Sequence, residues 1–191
     1  MSPGLKSMEH PAFDHPTLII VQGFIAAGKS TYARSLATAC GALHLEADAY
    51  CAQMVSESQG ADWDRCFALA VERIWSIAED RLGVGDSVIV DHGFWTRRSR
   101  DEARARAARL SVRLVHVYVT ARDEVLRARM ACRSGAVAER NVASFDALRA
   151  QFELPADDET AIVVNTADAG DALGRGFGSS SGQCWERGVS A

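Results

Sequence analysis

The chain has 191 residues, a hydrophobic fraction of 48% and a charged fraction of 24%, which suits one globular domain with a core large enough to fold unaided. A formal charge of −4 gives no overall attraction to nucleic acid or anionic membrane, and no apolar run reaches the ~18 residues of a spanning helix. Five scattered cysteines without a C-x-x-C pair, and an N-terminus without a charged-then-apolar leader pattern, exclude a disulfide framework and lead us to expect a cytoplasmic protein.

Residues 1–16, with four prolines and glycines and no periodicity, are expected to be a flexible tail. Leu18–Val21 is a short, β-branched, non-alternating run, the pattern of a buried parallel strand. A helix is expected from Gly28 to Cys40, stopped by Gly41, and a short strand over Ala42–Glu46. Phe67, Val71, Ile74, Trp75 and Ala78 mark one face of a helix over 61–82. Ser87–Asp91 reads as a buried strand, Arg97–Leu110 as a helix, Arg113–Thr120 as a strand and Arg122–Arg133 as a helix. We expect a loop over 134–141, a helix from Ser144 to Phe152 that stops before Pro155, and a last strand over Ala161–Asn165. Strands alternating with helices imply an α/β domain over 17–166 with a parallel sheet covered on both faces. The Gly/Ser-rich stretch 167–191 is expected to be a flexible tail, with a short helix possible near 169–173.

Gly23-Phe24-Ile25-Ala26-Ala27-Gly28-Lys29-Ser30 matches G-x-x-x-x-G-K-[ST], directly after a buried strand and opening a helix. Glycine at both ends lets successive amides turn inward onto phosphate oxygens, and the helix start adds unpaired N–H groups and a positive dipole end. Lys29 is expected at the β- and γ-phosphates of ATP, Ser30 on Mg²⁺, and Thr31 at a nearer phosphate. Asp91 ends an apolar strand and is expected to face Mg²⁺ through water, although Asp-x-Gly is also ordinary turn chemistry.

Asp48, after the second strand, is a candidate base for an acceptor hydroxyl; Glu46 competes with it, and a helix N-cap is the structural alternative. Arg129 and Arg133 share a helix face leading to the 134–141 loop, where cations could neutralise charge during phosphoryl transfer. His92, Phe94 and Trp95 could wall an acceptor pocket or pack beneath the next helix. His116 reads as a satisfied core residue. The Arg97–Arg113 cluster with Trp95 is the one candidate surface for nucleic acid, weakened by Asp101 and Glu102.

These features resemble the small P-loop kinase-like proteins called AAA family ATPases, whose broader relatives include zeta toxins, chloramphenicol phosphotransferase and the kinase domain of phage polynucleotide kinase. The phosphate loop, Asp48, Asp91-x-Gly93-Phe94-Trp95, the arginine-bearing lid and Phe152-Glu153-Leu154-Pro155 followed by Asp158-Glu159 carry the resemblance, over about Thr17 to Thr166. It implies a five-stranded parallel sheet of the nucleoside- and adenylate-kinase type and no hexameric motor. It further implies Asp48 as base, Arg133 as lid arginine at the transferring phosphate and Arg129 packing on adenine. Relatives continue past the last strand with a helix and an adenine-contacting loop, where this chain has Gly and Ser. The expected activity is ATP- and Mg²⁺-dependent phosphorylation of a small-molecule hydroxyl. A kinase of polynucleotide 5′ ends and a nucleotide-binding switch or partner protein with little catalysis are the alternatives.

Overall fold

The computed structural model describes residues 13–57, 62–133 and 136–167. The expected tails lie outside these, apart from 13–16 and 167, as does the short helix near 169–173. Five strands form one sheet: β1 (Thr17–Gln22), β2 (Leu43–Glu46), β3 (Val88–Gly93), β4 (Arg113–Thr120) and β5 (Ile162–Asn165). Their order is β2-β3-β1-β4-β5, and every neighbouring pair is parallel. The five-stranded parallel sheet flanked by helices is therefore as expected.

Burial on both faces explains the unbroken apolar runs. Ile19 and Val21 enter one core with Ile89 and Val117, under α1 (Lys29–Cys40) and α5 (Asp123–Ala131). Leu18 and Ile20 enter the other with Val88 and Val90, under α3 (Trp63–Gly83) and α4 (Arg97–Arg109). Local chemistry sets the helix ends. Gly41, at φ 68°, closes α1 in the left-handed region. The Asp62 and Thr96 side chains accept from Asp64 N and Ser99 N to cap α3 and α4.

Two segments differ from expectation. Residues 47–57, unassigned from sequence, form α2 (Ala47–Glu57), whose Cys51 packs on Cys66 and Ala70 of α3. Small residues along that face make its helical stripe weak, so packing on α3 supplies what the pattern lacks. Where a loop was expected over 134–141, α6 (Ala136–Ala143) forms from residue 136 onward, because the alanine-rich stretch there is a good helix former. The next helix, α7 (Phe145–Ala150), is shorter than expected.

One irregularity bears on the site. The register between β1 and β3 runs Ile20 to Val90 and then Gln22 to Gly93, so two residues of β3 oppose one of β1. The extra residue falls at Asp91–His92. Such a bulge re-aims side chains at the end of a strand.

Candidate active site at the phosphate loop

The sheet's central strand, β1, delivers the loop at its carboxyl end, where the chain reverses between neighbours on either side. Gly23 N donates to Gly93 O at 3.1 Å, fastening the loop's start to the bulged end of β3. A Cβ at Gly23 would lie 2.5 Å from the Val119 carbonyl oxygen and 2.9 Å from Lys29 Cγ, so no other residue fits. Ala26 (φ 63°) and Gly28 (φ 93°) adopt left-handed backbone, the alternation that turns amides toward a common anion. Helix α1 starts on Gly28 with no side-chain cap and no carboxylate in its first turn. Its first amides and dipole end thus remain available to phosphate.

The loop's side chains divide the work. Phe24 is buried, stacked on Trp95 at 5.3 Å between ring centres and edge-on to Phe145 and Phe152. Ala26 and Ala27 are buried and the half-buried Ile25 packs against the same core, so Phe24, Ala26 and Ala27 can meet a ligand only through backbone. Lys29 Nζ donates to Phe24 O at 3.2 Å, curling over its own loop. Burial lowers the Lys29 pKa, against the pull of Asp91 and Asp48.

Four further ionisable side chains act on that ammonium: Asp91, Asp48, Arg133 and Glu46. Asp91 is 3% exposed at the bulge. Burial works to raise its pKa, but His44, the Lys29 charge and Ser30 together hold it below the ordinary carboxylate range. Its Oδ2 is buried without a hydrogen-bond partner. Asp48 lies in the first turn of α2, and desolvation, Asp91 and Glu46 raise its pKa against Lys29 and Arg133. Glu46 is paired instead with Arg34 at 3.4 Å. Arg133 follows α5 with its backbone N on Met130 O and its side chain exposed. The structure therefore brings Lys29, Ser30, Asp48, Asp91 and Arg133 to one place.

Arg129 sits on the other flank. Its guanidinium donates to Thr166 Oγ1 at 2.9 Å, to Thr166 O at 2.7 Å and to Ala26 O at 3.4 Å. Thr166 Oγ1 donates in turn to Ala27 O at 2.8 Å. Thr166, which the sequence reading missed, thus braces the strained loop from the end of β5. The available signal was its place just after a strand whose carboxyl end faces the crevice.

Other expectations change. Phe94 is fully buried against Trp75 and His92 and is a packing anchor, while the half-buried Trp95 packs on Phe24 and Phe152. His116 is only half satisfied: Nε2 meets Gln22 Oε1 at 2.8 Å, while Nδ1 is buried without a partner, and burial brings its pKa down to about 4. The arginine cluster is not an open basic surface. Arg100, fully buried, makes a bidentate pair with Glu159 and donates to the carbonyls of Phe94, Glu153 and Leu154. Arg97 pairs with Asp101 and Asp158, Arg98 with Glu102, Arg104 with Asp101 and Glu159, and Arg106 and Arg109 with Glu79.

Among the described residues, no three His, Cys, Asp or Glu side chains could hold a metal by themselves. The set suits Mg²⁺ nonetheless, because that ion keeps several waters and takes few protein oxygens beside phosphate. A hydroxyl, Ser30, next to a buried carboxylate with an unpartnered oxygen is such a set. Among the same residues, no helix is long and apolar enough to cross a membrane.

A parallel sheet in this order, with a phosphate loop after its central strand, defines a P-loop fold of the kinase-like type. The family model described as "AAA domain" matches residues 18–155, and the chain belongs to that family of small P-loop kinase-like proteins. A comparison with curated proteins gave no match. Among solved structures, the chain is similar to a candidate kinase from Chloroflexus aurantiacus J-10-fl (TM-score 0.70, 23% identity, covering 83% of this chain and 92% of that one). It is also similar to Chaetomium thermophilum Kti12 in complex with ADP-AlF3 (TM-score 0.61, 20% identity, 82% and 92%). A third likeness is to a gluconokinase from Sinorhizobium meliloti 1021 (TM-score 0.57, 23% identity, 80% and 84%). Identities of this size establish a shared fold.

Proposed function

We propose that the chain is an ATP-dependent phosphotransferase that moves the γ-phosphoryl group to a hydroxyl of a small-molecule acceptor. The observation that carries this is the gathering of Asp48, Asp91 and Arg133 around Lys29, at the mouth of a loop whose helix is left uncapped. The family and the kinases among the similar structures support the same general class.

The loop amides and Lys29 hold the triphosphate, and Ser30 and Asp91 are the residues that would hold Mg²⁺. When bound, that ion would supply positive charge to offset the charge of the phosphates. The acceptor hydroxyl gives its proton to Asp48 as its oxygen bonds to the γ-phosphorus, and the bond from that phosphorus to the ADP oxygen breaks. Asp48 suits this role better than Glu46, which is engaged with Arg34, and its raised pKa brings it nearer to the working range of a base. Arg133 meets the charge on the transferring group. Arg129, its guanidinium edge bonded to Thr166, presents the planar group that would pack on adenine. The paired state of the α4 arginines speaks against a polynucleotide acceptor.

The test is a screen with γ-labelled ATP and Mg²⁺ against pooled metabolites, nucleosides and antibiotics. Labelling of one compound is expected. Tight ATP binding with no labelled product in any pool would overturn the proposal and favour a nucleotide-dependent switch.

A further inference from the structure

Beneath α1, two buried polar atoms face each other with no other partner. His44 Nε2 and Asp91 Oδ2 lie 3.7 Å apart, and both are buried without a hydrogen bond. The side chains are 13% and 2% exposed. Native interiors contain few such groups, and each calls for an explanation. The strand pairing accounts for the meeting. In the β2–β3 register, His44 stands beside Ile89 and Glu46 beside Asp91. Leu45 enters the core beneath α3 and α4, so His44 and Glu46 project from the opposite side, the side of α1 and the phosphate loop.

We infer that His44 is a positioning residue for Asp91: its ring, with Nε2 3.7 Å from Oδ2, holds the carboxylate in the orientation that serves Ser30 and Lys29. The separation exceeds a hydrogen bond by about half an ångström, so the imidazole acts on the carboxylate through close packing and electrostatic attraction and leaves its lone pairs open to another donor. Asp91 has special need of such a restraint, because it sits on the bulge where the β1–β3 ladder is broken and the backbone alone aims it less firmly. His44 is well suited to give it. The ring stands on β2, on the face of the sheet that carries α1, with its side chain only 13% exposed. Loss of an outer group that orients a metal-facing ligand typically costs about 10–100-fold in affinity for the metal.

The inference rests on the proposed nucleotide and Mg²⁺ site but not on any acceptor. It is tested by titration calorimetry of ADP into the full chain, with Mg²⁺ and with EDTA, for the unaltered protein, His44→Leu and His44→Gln. The unaltered chain is expected to bind ADP more tightly with Mg²⁺. His44→Leu should lose about 10–100-fold in that condition and nothing with EDTA, while His44→Gln, which keeps a donor of similar reach, should recover to within roughly threefold. If His44→Leu keeps the full Mg²⁺-linked gain, or weakens ADP equally with and without the ion, His44 is a packing residue and the inference fails. Should the His44→Leu chain not fold, His44→Asn, a donor too short to reach Oδ2, takes its place with the same expectation. A protein with unaltered sequence that binds no ADP would overturn the site itself, an outcome read before any variant is made.

Discussion

At the phosphate loop, the charges of Asp48, Asp91 and Arg133 act on Lys29, and the first amides of α1 have no capping side chain. Along α4, which packs on β1 and β4, the same residue types are saturated: Arg100 alone meets one carboxylate and three carbonyls. The loop end holds charges that raise or lower one another's pKa and wait for a partner. The α4 belt holds charges that have spent their donors on the segment 153–159 and on α3. Arginine-rich sequence alone does not distinguish the two. What distinguishes them is whether the protein supplies the counter-ion, and unpaired charge in a concave site is the signature of a ligand yet to arrive.

The largest effect expected from this contrast is on stability. Arg100→Ala would leave the buried Glu159 carboxylate without its bidentate partner and should cost about 3–5 kcal/mol, read as a lowered Tm. Turnover per folded molecule should be retained. If transfer were lost with Tm intact, the belt would belong to the site and the contrast would break.

Lys29→Ala should do the reverse, lowering phosphoryl transfer by about 10²–10³-fold with the melting temperature kept. Wild-type turnover in that variant would remove the loop from the reaction.

The belt also reaches His116, which faces Gln22, Glu159, Arg100 and Arg104 from the neighbouring elements. Its pKa falls from 6.5 unfolded to about 4 folded, chiefly through burial. Below pH 6.5 the unfolded chain therefore binds a proton that the native one refuses. Stability is full above that pH and is lost as pH falls toward 4, by at most about 3 kcal/mol from this group. Tm measured across that window should fall, and less so in His116→Gln; an unchanged slope would show the ring to be indifferent. His92, also brought down to about 4 by burial, adds to the same loss and is untouched by that variant.

The smallest effect sharpens the contrast from the other side. Arg98 and Glu102 form an exposed i,i+4 pair with side chains 90% and 56% accessible, and Arg98→Ala should cost less than about 0.5 kcal/mol in a denaturant titration.

Much of this was legible in the residues. The parallel sheet followed from unbroken β-branched runs, and the loop from its glycine spacing and context. Helix α2 was not, because alanine and cysteine mark its buried face too faintly, and that helix decides where Asp48 lies. Helix α6 was masked by the glycine before it. Thr166 carries no motif, and its value comes only from lying 139 residues along the chain from the Ala27 carbonyl it binds.

By itself, the order of residues determined the class of fold and the phosphate-gripping loop, because both rest on local chemistry: strand burial, glycine dihedrals and a helix start. Only the tertiary structure decided which charges are free and which are engaged. Pairing depends on side chains far apart in sequence, such as Arg100 with Glu159 or Arg97 with Asp158, meeting at distances that no local pattern encodes.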